Sequence, residues 1–556
     1  MQSRICEQIP SYFGAEGVNL WVQQDHLSTS LQSNNIFLPT VTVENIQAIK
    51  EKLSSIQYSQ KESYASLLLE NNGEYIRKLL TISNDMEDLD DKIMLGKISD
   101  IFRSILYFNN IRILDFVLED KNIFISIVGV MEYDPQLKAK GNFREFLTKV
   151  ACFKEAVPLR NNNIRLAIAK LFNLKYLKDI ILRPCIDEIG VPALNNLIGQ
   201  ATNEICTKIF EDIGYLAQVL HLIDNTIDIT QYTTTNNNDS MNSTDTSIGQ
   251  NSLGTNESEQ HHNEQSTSED SNKTEKSSKE DGIRFFRELF FLARNLTLER
   301  RTGLVALMLK SLRFLLLSTI QKVLMDRQST IIEKQYAAEI LSSITMINPG
   351  AVRLTIIEGP IPSMPPHAEK IRSTQSLVPG QVNLGINSHN DQCLLYVIII
   401  CIINENDAAT IEQLSDTFKM LIDCDRLDRK DREKFLVLCY DYYFHWLIIP
   451  FMEPNIPYQQ ISNPDNKEGG IGVKKQQDES CVIASRRFIL DILCICVHGH
   501  TYRMKYFLLR NNLFTRVNKV FESNHRSLQL GAIRFMRTVL GNKFTTILIL
   551  ITNNDK

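Results

Sequence analysis

The stretch "CICVHGHTYRMKYFLLRNN", Cys494 to Asn512, sets two cysteines and two histidines at alternate positions and then turns basic. Read as a strand, it lines Cys494, Cys496, His498 and His500 along one face, and thiolate and imidazole are the ligands zinc prefers. At roughly 3.3 Å per residue the first and last would stand about 20 Å apart, too far for one ion. Read as a helix, residues two apart point about 200° from each other, so neither pair converges. The residues upstream favour the helix. Ile489, Ile492, Leu493, Cys496 and Val497 fall at the spacing of a core-facing stripe. Cys496 is then a small buried hydrophobe, Gly499 ends the helix and a second helix follows.

The same texture extends through most of the chain. Amphipathic runs alternate with short polar turns, and period-two strand patterns are nearly absent. "FVLEDKNIFISIVGVME" from Phe116 and "FLLRNNLFTRVNKVFE" from Phe507 each show an apolar triplet, a polar turn and a helix with one apolar face; "FLLLSTIQKVLMD" from Phe314 shows less of the turn. Recurrence of one helix-pair unit is the signature of an α-solenoid. A large helical domain whose helices are alike only through amphipathicity is the other reading.

Between Gln231 and Asp281 the sequence becomes rich in Asn, Ser, Thr and Glu, with Tyr232, Met241, Ile248 and Leu253 its sizeable apolar residues. Such a tract buries too little surface to offset its ordering entropy and is expected to be a disordered insertion. Two further breaks, a Pro-rich one from Gly359 and a polar, Gly-rich one from Glu453 to Ser480, read as loops. The expected organisation is an N-terminal helix and linker over 1–35, solenoid over 36–230, the insertion to 282, solenoid over 283–358, a loop to 392, helices over 393–455, a loop to 481 and a basic solenoid part over 482–556.

With 556 residues, 43% of them hydrophobic, the chain has the material for a large core or several stacked ones, and its net charge of −5 is small. Eleven cysteines without framework spacing, and no apolar leader after Met1, point to a reducing, intracellular setting. The longest apolar run, "CLLYVIIICII" from Cys393, is a buried helix by length, far short of the roughly 20 residues of a membrane span. No Gly-Asp-His cluster of a metallohydrolase, no phosphate-cradling Gly-Lys-Ser/Thr and no nucleophile elbow is present, so no catalytic residue, cofactor or metal ligand is assigned. "GGIGVKK" from Gly469 reads as a flexible loop, and His445 in "YDYYFHWLIIP" as a core histidine.

Charge supplies a lead. From Thr501 to Thr545 nine basic residues face one acidic residue, Glu522. Arg503, Lys505, Arg510, Arg534 and Arg537 are the candidate partner-binding residues, for an acidic peptide, a protein or a nucleic-acid backbone. A solvated face balancing acidic helices such as "NDMEDLDDK" from Asn84 is the alternative. Ile533, Met536, Val539 and Leu540 are expected to form the buried stripe of the last helix, with Phe535 against a neighbouring repeat, and Arg534 and Arg537 project from adjacent turns.

Two stretches resemble a known family. "MEYDPQLKAKGNFREFLTKVACFKEAVPL", Met131 to Leu159, with "YLKDIIL" from Tyr176, looks like the central domain of regulatory subunit 3 of serine/threonine protein phosphatase 4. The matching positions are Glu132 to Pro135, Arg144 to Lys149, Phe153 to Glu155, Pro158 and Ile180 to Leu182. The stretch from His498 to Lys543 is similar to the same family in its His-Thr-Tyr and in Ala532, Arg534, Phe535, Met536 and Arg537. The resemblance implies an all-α, armadillo- or HEAT-like scaffold without enzymatic activity, in the nucleus and cytoplasm. It implies as partners a phosphatase catalytic subunit, a second regulatory subunit and phosphoprotein substrates, with no membrane; a solenoid adaptor for nucleic acid or chromatin is the competing function. Family members begin with a pleckstrin-like peptide-reading module, which this chain is expected to lack, and they continue through more repeats.

Overall fold

The computed structural model describes residues 36–137, 141–151, 153–182, 192–233, 278–365, 368, 393–423, 429–452 and 478–541. Among these residues the chain is helical throughout, with no strand. The chain divides into two compact units, residues 1–152 with 169–198, and residues 153–168 with 199–556. The interior of the insertion, 234–277, the loops 369–392 and 453–477, and the segment 1–35 lie outside the described residues.

The first unit is assembled around the helix Lys92–Leu106, which packs against Ile46–Ser54 and Lys121–Met131. It buries Leu95, Ile98, Ile101, Phe102 and Ile105, a stripe spaced for a single helical face. The long helix Lys61–Asp88 is broken within "ENNG", where Asn71, Asn72 and Gly73 take φ of 51°, 59° and 70°. Glycine is required at the last of these, because a Cβ on Gly73 would sit 2.2 Å from the Phe116 ring. The pair Ile111–Glu119 and Lys121–Met131 turns at Asp120, whose side chain accepts from the Asn122 amide (2.9 Å) and so caps the second helix.

The second unit is an α-solenoid of two helix rows. In one, Lys279–Ala293, Ile331–Ile347, Ala408–Ile422, Glu479–Gly499 and Arg526–Gly541 stack in succession; in the other, Ile213–Ile223, Leu315–Met325, Leu394–Asn404 and Phe444–Leu447 do so. Leu394–Asn404, the longest apolar run, is buried almost all round inside this stack, and among the described residues no single helix is long and apolar enough to cross a membrane. In "FLLLSTIQKVLMD" the turn lies before the apolar triplet rather than after it, at Arg313 and Phe314, whose φ angles are 49° and 60°. Phe507 to Glu522 turns where the sequence indicates, with Asn512 left-handed at φ 46°.

The insertion is shorter than its composition suggests. Thr230–Thr233 is helical with Tyr232 buried, and the next helix starts at Lys279 rather than 283. Ser278 caps that helix, its Oγ accepting from the Asp281 amide while the Asp281 carboxylate accepts from the Ser278 amide. A local capping pair overrides the polar composition of the tract, and Lys154 adds an ion pair to Asp281 (3.1 Å).

The helix Ala408–Ile422 shows how the repeats are locked. Its N-cap, Asp407, accepts from the Thr410 amide and from Gln335 of the preceding layer. At its other end the orphan carbonyls are met one by one. The Asp423 amide serves Lys419, while Arg353, almost wholly buried, donates to the carbonyls of Leu421 (2.7 Å), Met420 (2.8 Å) and Asp423. The Ile422 carbonyl accepts from Nε2 of His500 (3.0 Å), whose Nδ1 accepts from the Tyr440 hydroxyl (3.3 Å). His500 in the opening stretch is thus a brace for a neighbouring helix end. Cys494 and Cys496 are buried free thiols, burial pushing Cys494 up to about 11.

Denaturant unfolding of the full chain tests these contacts. Arg353→Leu removes the donor to three carbonyls of this helix end, of which that of Leu421 is buried, and lowers stability by about 1–3 kcal/mol, and His500→Phe strands the buried Ile422 carbonyl and costs about 1–3 kcal/mol; an unchanged transition in either variant shows that the helix end needs no such donor. Replacing residues 238–275 by a short Gly/Ser linker shifts stability by no more than about 1 kcal/mol, whereas Ser278→Ala costs about 1 kcal/mol through the lost cap.

Candidate functional site

The basic C-terminal helices divide into braces and free cations. Arg503 pairs with Glu433, and Arg534 donates to Asp491 (2.8 Å) on Glu479–Gly499, the helix stacked beneath its own. Arg516 reaches the Met452 carbonyl (2.7 Å). Lys505, Arg510, Lys519, Arg526 and Arg537 form no ion pair among the described residues, and all but Lys505 are well exposed. Lys543 lies outside the described residues. Of the five predicted partner-binding residues, two are therefore engaged internally and three are open.

The last helix, Arg526–Gly541, buries Leu528, Gly531, Ala532, Phe535, Met536 and Val539. This corrects the stripe expected from the sequence. Met536, Val539 and Phe535 do face the stack, but Ile533 (42%) and Leu540 (45%) are exposed. The apolar residues of this helix occupy two faces, and packing on Glu479–Gly499 buries the one that holds Ala532 and Phe535. Ile533 and Leu540 share the outer face with Arg526, Leu530 and Arg537 at i, i+4, i+7, i+11 and i+14 spacing.

A second surface, in the first unit, lies where sequence analysis found only a family likeness. The acidic residues of "EYDP" are anchors. Asp134 is buried against Arg103, whose Nε donates to it (3.1 Å), and Glu132 accepts from the Arg144 amide (2.7 Å). Arg144 in turn forks onto Glu87 with two contacts of 3.0 and 3.1 Å. Its guanidinium lies so close over Gly129 that a Cβ there would fall 1.9 Å from it, so this close approach requires glycine. These contacts hold "FREFLTKV" from Phe143 in place. Its ring Phe146 stacks on Tyr176 (5.5 Å, 7°), Phe172 stacks on Tyr176 (6.1 Å, 21°), and Phe143 meets it edge-on (6.5 Å, 82°). Burial, with Glu132 nearby, raises the Tyr176 hydroxyl above its usual range.

Tyr176 belongs to the helix Asn162–Tyr176 and its π-helical continuation Leu177–Ile181. Leu171, Leu174, Leu177 and Ile181 fill the core, while Phe172 (43%) and Ile180 (43%) stay outside together with Phe146 (38%) and Val150 (62%). The signal was present in "LFNLKYLKDIIL", which holds more apolar residues than one helix face can bury. Sequence alone does not say which half is left out.

The family model described as phosphatase 4 regulatory subunit 3 matches residues 45–555. Among curated proteins the chain is 24% identical over 513 residues to "Serine/threonine-protein phosphatase 4 regulatory subunit 3" of Drosophila melanogaster, covering 91% of this chain and 43% of that protein. It is 25% identical over 501 residues to "Protein PPP4R3C1" of Mus musculus, covering 87% and 50%. It is 22% identical over 548 residues to "Suppressor of Mek1" of Dictyostelium discoideum, covering 94% and 42%. The chain thus spans half or less of the length of these relatives. A match that runs through both compact units, from the first described helices to the last, establishes that the chain belongs to the phosphatase 4 regulatory subunit 3 family.

Proposed function

We propose that this chain is a non-catalytic regulatory and scaffold subunit of a phosphatase 4-type serine/threonine phosphatase complex. In this reading it binds the catalytic subunit and a second regulatory subunit, positions phosphoprotein substrates, and works in the nucleus and cytoplasm. The observation that carries the reading is the family match over residues 45–555. The stacked helices support it physically, because a solenoid offers long surfaces whose side chains are held in register by their neighbours. The free cysteines buried in the stack suit a reducing compartment. A second reading, binding of a nucleic-acid backbone, draws on the open cations Lys505, Arg510, Lys519, Arg526 and Arg537.

Purified from its own cells, the chain is expected to bring down a metallophosphatase catalytic subunit in near-stoichiometric amount, and its absence from such preparations overturns the first reading. Arg534→Glu sets a largely solvated carboxylate opposite the half-buried Asp491, so it lowers stability by about 1 kcal/mol. Lys505→Glu with Arg537→Glu leaves the unfolding transition unchanged and weakens whichever assembly uses this face. Steeply salt-dependent binding of duplex DNA, abolished by the same pair, favours the nucleic-acid reading.

A further inference from the structure

We propose that the aromatic platform formed by exposed Phe146 and Phe172 on half-buried Tyr176, continued by Val150 and Ile180, docks an extended acidic segment of a partner protein through one aromatic or aliphatic side chain. The inference deepens the regulatory-subunit reading by assigning a recognition site within the first unit. Its test stands whether or not that reading does.

The backbone first argues that this surface is built. Phe146–Val150 and Leu177–Ile181 are both π-helical, closed by bonds from the Ala151 amide to Phe146 (2.8 Å) and from the Leu182 amide to Leu177 (2.9 Å). A π turn inserts a residue into the helical register and is retained mostly where function uses the displaced side chains. The comparison within the chain is direct. The π turn Cys439–Tyr443 buries Cys439, Tyr440 and Tyr443, as a packing adjustment does, whereas Phe146–Val150 buries none of its residues. Neighbouring Leu177 and Ile181 go inward and leave Ile180 on the surface. Contiguous exposed apolar area of this kind marks interaction sites. The Arg144 fork to Glu87 and the tight fit over Gly129 hold the platform before any partner arrives, which reduces the ordering cost of binding.

Charge then selects the partner. Within Phe143–Val150 and Lys170–Leu182 the basic residues are Arg144, Lys149, Lys170, Lys175 and Lys178, and the acidic ones are Glu145 and Asp179; Arg144 is taken up by Glu87 and Lys170 by Asp115, and Glu132 lies near Tyr176, so Lys149, Lys175 and Lys178 are the cations left to a partner. Lys175 and Lys178 form no ion pair among the described residues. Lys149 is held only by the solvated pair with Glu145 (3.2 Å), which exchanges at little cost. Lys149 and Lys175 flank the rings from the two segments, at i+3 from Phe146 and from Phe172. A strand of nucleotides would need further rings and phosphate-spaced cations beyond the platform. The ends here are the aliphatic Val150 and Ile180, which suit the side chains of a peptide.

The test uses the full chain and a displayed library of peptides drawn from natural disordered regions, with synthetic versions of the selected peptides and a labelled oligothymidylate as probes in fluorescence anisotropy. Wild-type protein is expected to select acidic peptides sharing an aromatic or aliphatic anchor. Phe146→Ala with Phe172→Ala, and independently Val150→Glu, weaken them about tenfold or more with the unfolding transition unchanged. Lys149→Glu with Lys175→Glu weakens them and flattens their salt dependence, and Lys505→Glu with Arg537→Glu does neither. The proposal is overturned if no such peptides are selected, if the platform variants bind them normally, or if the platform instead binds the oligothymidylate. It is also overturned if the platform variants lose a co-purifying phosphatase catalytic subunit, because the face is then that subunit's seat. Peptide binding without any co-purifying phosphatase sinks the regulatory-subunit reading and leaves this one standing.

Discussion

The capped end of the helix Ala408–Ile422 is the constraint on which the stack turns. A helix that ends inside a protein leaves carbonyls that water cannot reach, each costing about 1–3 kcal/mol if unmet. Here the donors come from different layers, Arg353 from before the helix and His500 from after it. The positive guanidinium also sits at the negative end of the helix dipole. Three successive layers are thereby fixed in angle and register by one set of hydrogen bonds, which apolar packing alone, being non-directional, does not do.

Several helix starts are managed locally. Asn110, Asp120, Asp212, Asn348, Asp407 and Asp478 each turn a side chain back onto the first amides of the helix they precede. Asn71, Asn72, Asn109 and Asn512 take the left-handed conformation at corners, which asparagine tolerates better than other side chains except glycine. The corner formed by Arg313 and Phe314 does the same without such a residue, and is held by the burial of Leu316 and Leu317 just beyond it.

Surface residues of this family member fall into two kinds that sequence presents alike. Arg503, Arg516 and Arg534 tie helices together, whereas Arg510, Arg526 and Arg537 face solvent from the same few turns. In the first unit Glu132, Asp134 and Arg144 of the family-like stretch are internal braces, and its rings are what the surface offers. Recognition there rests on aromatic stacking with charge at the edges, a different chemistry from that of the basic C-terminal face.

Periodicity alone determined that the chain is all-α and that its helices pair and stack, because an amphipathic stripe such as Ile489 to Val497 specifies both the helix and the face it buries. Spacing also excluded a metal at "CICVHGH", and the ordered motifs from Glu132 to Leu182 and from His498 to Arg537 pointed to the family. Tertiary structure decided the rest. The last helix and the one carrying Tyr176 each hold apolar residues on two faces, and only the position of the neighbouring helix settles that Phe535 and Leu177 go in while Ile533 and Ile180 stay out. Likewise an arginine's role depends on whether a carboxylate or a carbonyl from a distant segment comes within about 3 Å, as Asp491 does for Arg534 and Leu421 for Arg353. Such partners lie tens of residues away, and sequence spacing holds no information about them.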